Sequence, residues 1–152
     1  MKLSTKGRYG LRALIDIALN SEVEPVSISS VGARQAMSKS YLEQLIAKLK
    51  RGGFVASVRG VRGGYVLAKP PAEISVGDVL RCLEGDLSPV DCPGITDDGD
   101  GCLGSDFCVT KYVWKRINDS VNQAVDEIKL SELIAESKKV ANKNAENHNC
   151  NL

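Results

Sequence analysis

The sequence predicts a mainly α-helical fold with one small β-hairpin, and three observations predict it. Apolar residues recur at helical spacing over much of the chain. A glycine-rich stretch, residues 59–64, separates two short apolar runs. The length of 152 residues, of which 43% are hydrophobic and 26% charged, suits one globular domain or one domain with an extension.

The first helix is predicted from Thr5 to Asn20. Ser4 or Thr5 can cap its start, and Glu24-Pro25 interrupts the chain after it. The apolar residues that define its inward face are Leu11, Leu14, Ile15, Ala18 and Leu19.

The next segment is predicted to form a helix-turn-helix. A short helix covers Ile28 to Gln35, Ala36-Met37 makes a tight connection, and a second helix starts at Ser40. Glu43 lies three residues after Ser40, which is the spacing of a capping box. The buried stripe of the second helix is predicted to be Leu42, Leu45, Ile46 and Leu49.

A β-hairpin is predicted directly after this motif. Its strands cover residues 54–58 and 65–68, and the connection between them holds three glycines and two arginines. An ordinary hairpin with solubilising arginines has the same pattern, but the position after a helix-turn-helix favours a wing that contacts DNA. With a helix from Val76 to Glu84, capped by Ser75, residues 1–84 are predicted to be a winged helix-turn-helix DNA-binding domain.

The second half begins with a loop over residues 85–107 that is rich in Asp, Gly and Pro. Residues 108–140 are predicted to hold a long dimerisation helix, to residue 128, and a short closing helix. The polar residues 141–152 are predicted to be a disordered tail. The long helix needs a partner surface, which either a second copy or its own chain can supply, for the stripe Val109, Val113, Ile117, Val121, Val125 and Ile128.

The net charge of +1 conceals an asymmetry between the two halves. Residues 1–69 contain 12 Lys and Arg against 4 Asp and Glu, whereas residues 70–152 contain 8 against 15. A basic half points to a polyanion such as double-stranded DNA, although a solvated basic surface has the same composition.

The first turns of the second helix are predicted to enter the major groove of DNA. Gln44 can pair with adenine, and Ser40 can bind a base or a phosphate. Glu43 can accept from cytosine N4 or penalise a wrong base, or it can serve only as a cap. The predicted base-reading residues are Ser38, Lys39, Ser40, Tyr41 and Gln44; the predicted phosphate contacts are Lys2, Lys6, Lys39, Arg59 and Arg62, of which either arginine can instead enter the minor groove.

Five cysteines, an odd number, argue against a disulfide framework. Cys92, Cys102 and Cys108 bring three thiols into the loop and the start of the long helix, where thiolates suit an iron–sulfur cluster or zinc. An acidic loop with incidental thiols is the alternative, because no CxxC pair is present. Cys82 is predicted to be a small core residue, and Cys150 lies in the tail with His148.

Several function classes are disfavoured. No apolar run approaches the roughly 18 to 20 residues that cross a bilayer, and the start resembles no secretion signal, so we expect a cytoplasmic protein without a membrane partner. No nucleotide fingerprint or catalytic triad pattern is present, and the single histidine is His148. A redox enzyme or cluster carrier is therefore a weaker hypothesis than a DNA-binding regulator.

Three segments of the sequence together resemble the Rrf2 family of transcription regulators. They are residues 3–9, LSTKGRY; residues 40–45, SYLEQL; and residues 58–65, VRGVRGGY. The resemblance covers roughly residues 1–135, and it implies a homodimeric winged-helix regulator with a long dimerisation helix in the C-terminal half.

The cysteine loop resembles that of the cluster-binding members of this family, which hold a [2Fe–2S] cluster through three cysteines and a histidine. The resemblance assigns the three thiolate ligands to Cys92, Cys102 and Cys108, and it places Lys111 at the histidine position. A lysine amine is protonated at neutral pH, so an aspartate, Lys111 itself, a tail residue or a partner-chain group remains open as the fourth ligand.

The resemblance implies a regulator that senses a [2Fe–2S] cluster and controls genes of cluster biogenesis. The alternative within the family is a regulator of cysteine metabolism, nitric oxide response or redox stress that acts without a stable cluster.

Overall fold

A computed structural model describes residues 3–92, 95, 102, 104 and 107–149 of the chain. Helices dominate this part, and one two-stranded antiparallel hairpin accompanies them, which confirms the predicted fold class. The elements in chain order are α1 (Thr5–Asn20), α2 (Ile28–Gln35), α3 (Lys39–Arg51), β1 (Val55–Val58), β2 (Gly64–Leu67), a 3-10 turn (Pro71–Glu73), α4 (Val76–Glu84), α5 (Thr110–Glu127) and α6 (Leu130–Asn149).

The main core lies where α1, α3 and α4 meet under the hairpin. The four residues of the predicted stripe on α3 are buried, each with at most 1% of its surface exposed. They pack with Leu14 and Ile17 of α1 and Leu83 of α4, and Leu130 at the start of α6 joins the same cluster. Since burial of one such side chain contributes about 1.5–3 kcal/mol, this cluster fixes the position of α3.

Two glycines let α4 approach α1 closely. A Cβ on Gly7 would lie 2.6 Å from Oε1 of Glu84, and a Cβ on Gly10 would lie 2.8 Å from Cδ2 of Leu83. Real Cβ atoms do not approach other atoms so closely. The sequence of α1 therefore leaves room for the last turn of α4 against its backbone.

The turn between α2 and α3 is tight, as predicted. Ala36 has a φ of 53°, in the left-handed region, and the Met37 N–H donates to the Gly32 carbonyl over 3.0 Å. The predicted capping box of Ser40 and Glu43 is wrong, because Ser38 caps α3: its hydroxyl accepts from the Tyr41 N–H over 3.3 Å. The extended ψ of 145° at Ser38 starts the helix at Lys39, before Ser40.

A short extended segment at Val26 attaches the hairpin to the rest of the domain. Val26 and Tyr65 exchange backbone hydrogen bonds of 3.0 and 2.9 Å, so the chain before α2 pairs with β2. A Cβ on Gly64 would lie 2.6 Å from the Val26 carbonyl oxygen. This pairing holds the hairpin beside α2.

The C-terminal helices differ from their predicted bounds. The long helix begins at Thr110 and not at Cys108. The last helix extends to Asn149, although we expected it to end at 140 and the tail from 141 to be disordered. Residues 141–149 include alanine, lysine and glutamate, which favour helix, and contain no glycine or proline that would stop it. No helix in the described part of the chain has the length and apolar character needed to cross a bilayer.

Candidate functional site

The start of α3 presents the polar face that the sequence predicted. Ser38, Lys39, Ser40, Glu43 and Gln44 are all exposed, and Tyr41 is half-buried. The opposite face of α3 carries the buried stripe. A helix with a buried apolar face and an exposed polar first turn has the arrangement that a DNA-reading helix needs.

Tyr41 ties the start of α3 to the start of α1. Its hydroxyl donates to Oγ1 of Thr5 over 3.2 Å, and its ring meets the Tyr9 ring edge-on with centroids 6.1 Å apart. Lys6, a predicted phosphate contact, is exposed in the same first turn of α1. Lys2, the other contact predicted there, lies outside the described residues.

Glu84, which the sequence analysis did not select, completes the start of α1. Its carboxylate accepts from the Ser4 hydroxyl at 2.7 and 2.8 Å and from the Gly7 N–H at 2.8 Å. Burial opposes the charged form, but these hydrogen bonds and the positive charge of Lys6 outweigh it and lower the pKa of Glu84. No sequence signal within a few residues could have found this contact, because the two segments lie 80 positions apart.

The wing carries its arginines at an exposed tip. Gly60 has a φ of 119°, and the Gly63 N–H donates to the Gly60 carbonyl over 3.0 Å, which closes the turn. Arg59 and Arg62 are both exposed, and Arg62 lies 3.3 Å from a carboxylate oxygen of Glu24. The two predicted arginines thus differ, since Arg62 has an acidic neighbour that a phosphate would have to displace.

A second polar contact fixes α2 to α1. Asp16 is buried, and it accepts from Arg34 at 2.6 Å and from the Gln35 amide at 2.8 Å. The hydrogen bond to Asp16 is the main cause of the raised pKa of Arg34. Arg34 therefore has a structural role in the domain, because it pairs with a buried carboxylate.

The three predicted thiolate ligands lie along the connection between α4 and α5. Cys92 is half-buried, Cys102 is exposed, and Cys108 is half-buried two residues before α5. None of the three forms a disulfide. Residues 93, 94, 96–101, 103, 105 and 106 of the loop are outside the described residues. Within the described ones, no three His, Cys, Asp or Glu side chains are grouped as a metal site.

The surroundings of Cys108 favour the thiolate form of its side chain. The Thr110 hydroxyl lies 3.1 Å from its sulfur, and this contact, the Lys111 N–H and the Lys111 charge lower the pKa of Cys108. Thiolates are the protein ligands of iron–sulfur clusters, so the donor set of three unpaired cysteines fits such a group. Lys111 lies in the first turn of α5, with its amine 5.7 Å from the centre of the Tyr112 ring.

The last turns of the long helix α5 are attached to α4. Arg81 of α4 forms an ion pair with Asp126 and donates to Asn122 over 2.9 Å, and Val125 packs on the cluster of Val76, Leu80 and Leu87. At the other end, Val109 is 74% exposed and Val113 is 53% exposed. The predicted stripe is therefore half-buried at Val121 and Val125 and uncovered in its first turns, and Ile128, just after α5, is 38% exposed.

In a comparison with known proteins, one family matches most of the chain. The Rrf2 family, described as an iron-dependent transcriptional regulator, matches residues 3–136. The HTH-type transcriptional regulator IscR of Cronobacter sakazakii (strain ATCC BAA-894) is 41% identical over 134 residues, which are 88% of this chain and 80% of that protein.

Two solved structures show the same fold at similar identity. T. potens IscR is 40% identical with a TM-score of 0.73, over 92% of this chain and 90% of that one. CymR (YrzC), the global cysteine regulator of B. subtilis, is 38% identical with a TM-score of 0.73, over 90% of this chain and 98% of that one.

Proposed function

This chain belongs to the Rrf2 family of transcriptional regulators, and from that premise we propose that it is a homodimeric, sequence-specific DNA-binding regulator that senses a [2Fe–2S] cluster. We further propose that it controls genes of iron–sulfur cluster biogenesis from the cytoplasm. The observation that carries the proposal is the exposed polar start of α3, followed by a hairpin with exposed arginines, in a chain whose α4–α5 connection holds three unpaired thiols. The relatives named above are transcriptional regulators, which supports a role that is not enzymatic.

The DNA contacts divide into two kinds. Gln44 reads adenine in the major groove, and Ser38, Ser40 and Tyr41 lie on the same exposed turns. Because Ser38 and not Ser40 caps the helix, Glu43 has no part in the cap and is available to accept from cytosine or to penalise other bases. Lys6, Lys39, Arg59 and Arg62 contact phosphates, or an arginine of the wing enters the minor groove.

The uncovered half of α5 supports the homodimer. Val109, Tyr112, Val113 and Ile117 expose between 39% and 74% of their surface along one face of the helix. A second copy that packs on this face would bury it and would set two copies of α3 on one side of the DNA. Such dimers read half-sites about one helical turn, roughly 34–36 Å, apart.

Cys92, Cys102 and Cys108 would hold the cluster, which supplies a redox-active iron centre when bound. These residues provide three of the four ligands that such a cluster takes. Lys111 stands at the family's histidine position, and a carboxylate or a group of the partner chain would supply the fourth ligand.

A second candidate function is favoured by the likeness to CymR. A regulator of cysteine metabolism, nitric oxide response or redox stress would use the same α3 and wing and would need no stable cluster.

The decisive experiment is anaerobic purification of three proteins: the parent, Cys92→Ala, and Cys82→Ala as a matched control. Cys82 is a cysteine of α4 whose thiol donates to the Lys48 carbonyl, away from the loop. Near-equal iron and sulfide with visible absorption in the parent and in Cys82→Ala, and colourless Cys92→Ala, would support the cluster. A parent that stays colourless after reconstitution would reject the cluster and favour the second candidate.

A further inference from the structure

The start of α1 receives its negative charge from another helix. The first turn of α1 contains no acidic residue and instead contains Lys6. Acidic groups stabilise a helix start because they complement its partial positive charge and its unpaired N–H groups. Glu84, the last residue of α4, supplies that group and accepts from both Ser4 and Gly7.

Several hydrogen bonds join Glu84 to the start of α1. The Ser4 hydroxyl accepts from the Lys6 N–H over 3.0 Å while it donates to Glu84, so Ser4 and Glu84 together satisfy two N–H groups of the first turn. Gly7 has no side chain, and the carboxylate occupies the space that a Cβ would need. The position of Glu84 thus determines the position of the start of α1.

The start of α1 in turn contacts the start of α3. Thr5 follows Ser4 directly, and its hydroxyl accepts from Tyr41 over 3.2 Å. The Tyr41 N–H donates to Ser38, the capping residue of α3. A displacement of Ser4 therefore reaches the exposed residues at the start of α3 through two neighbouring contacts.

On its other side, Glu84 adjoins the cysteine loop. Gly85 leaves α4 with a φ of 94° and a ψ of −141°, a conformation that residues with a side chain rarely adopt. Cys92 lies seven residues further on. Glu84 is the last residue of α4. It therefore directly precedes the cysteine loop in the chain, while its carboxylate binds the start of α1.

We propose that Glu84 is a positioning residue for DNA binding, which holds the starts of α1 and α3 in place and passes changes in the cysteine loop to them. The first half of this proposal, the positioning of the two helix starts, concerns protein without a cluster. The second half rests on the proposed cluster-sensing function.

The first half is tested by DNA affinity of cluster-free Glu84→Ala, Glu84→Gln and the control Glu73→Gln, which removes an exposed charge in the 3-10 turn before α4. The probe is the best duplex that the parent selects from a random pool. We expect about tenfold weaker binding for Glu84→Ala, since the variant removes the hydrogen bonds that Glu84 forms with Ser4 and Gly7. Glu84→Gln, which keeps an acceptor, should recover part of the loss, and Glu73→Gln should match the parent.

Melting temperatures separate positioning from stability alone. If Glu84→Ala melts earlier but binds the duplex like the parent at 20 °C, the residue is merely structural and the proposal fails. A double variant with Tyr41→Phe adds a second check. We expect it to bind little worse than the weaker single variant, because both changes break one path; losses that multiply would contradict that path.

The second half is tested by the ratio of DNA affinities of cluster-loaded and cluster-free protein. We expect the ratio to differ from one in the parent and to approach one in Glu84→Ala. A loaded parent and a loaded Glu84→Ala with the same ratio would overturn the loop connection alone. A parent that binds no cluster would overturn the connection together with the proposed sensing function, while the affinities of the cluster-free variants would still decide the positioning role.

Discussion

Two helices with the same kind of apolar stripe have opposite environments in this molecule. On α3 the four stripe residues, from Leu42 to Leu49, are each at most 1% exposed. On α5 the stripe residues Val109, Val113 and Ile117 expose 74%, 53% and 39% of their surface, and α5 has no buried residue among those described. The periodicity identified both faces, but it did not say what would cover them.

The difference shows which apolar surfaces the chain covers with its own residues. The last turns of α5 are held to α4 by Arg81, which contacts Asp126 and Asn122, and by Val125. In its first turns, the apolar residues Val109, Val113 and Ile117 are exposed. A surface of this kind next to a DNA-binding domain is what we expect a second copy to cover.

The largest expected effect is on the buried face of α3. Leu45→Ala should lower the free energy of unfolding by about 2–5 kcal/mol, because the cavity adds to the lost burial. The matched change on α5, Val113→Ala, removes an exposed side chain and should change the unfolding free energy of the monomer by less than about 0.5 kcal/mol. Urea unfolding at low protein concentration measures both, and equal losses would abolish the contrast between the helices.

The uncovered face of α5 is tested by a charge at its centre. Ile117→Asp should weaken dimerisation by more than about tenfold, because an unpaired charge in an apolar interface is strongly unfavourable. Sedimentation velocity gives the dimer fraction, and circular dichroism checks that helix content is kept. Asn118→Asp puts the same charge on the side of α5 turned away from Val109, Tyr112 and Val113, and should leave the dimer intact. Dimers of equal strength in both variants would remove this face of α5 from the interface.

The exposed face of α3 is tested by base preference. Gln44→Ala should cost about 1–3 kcal/mol at one position of the operator and relax the choice of base there, because a bidentate pair with adenine is lost. Selection from a random duplex pool measures the preference at every position. Retention of the parent's preferred site in the variant would mean that Gln44 does not read a base.

The smallest expected effect concerns the two arginines of the wing. Arg59→Ala should reduce the slope of log affinity against log salt by about one unit, since one phosphate contact releases roughly one counterion. Arg62→Ala should reduce affinity less, because Arg62 loses its pair with Glu24 on binding. Fluorescence anisotropy at several salt concentrations measures both slopes, with Glu24→Gln as the companion variant that should bind more tightly. Slopes equal to that of the parent in all variants would exclude the wing from the interface.

Elements whose signals are local could be predicted from the sequence. The bounds of α1, α2 and α4 agree with the prediction, and so do the cap at Ser75 and the buried stripe of α3. Helical periodicity and caps arise from residues within about four positions of one another, so one stretch of chain contains them completely. The choice of Ser38 over Ser40 as a cap was missed because both serines can serve, and the geometry of the turn at Ala36 decides between them.

Contacts between distant segments could not be predicted in this way. The hydrogen bonds of Glu84 with Ser4 and Gly7, of Tyr41 with Thr5 and of Val26 with Tyr65 join residues that are far apart in sequence. For the cysteine loop, spacing named the three thiol donors but could not say how they converge. These contacts depend on how helices pack in three dimensions, and the packing is a property of the whole core that no single segment of the sequence contains.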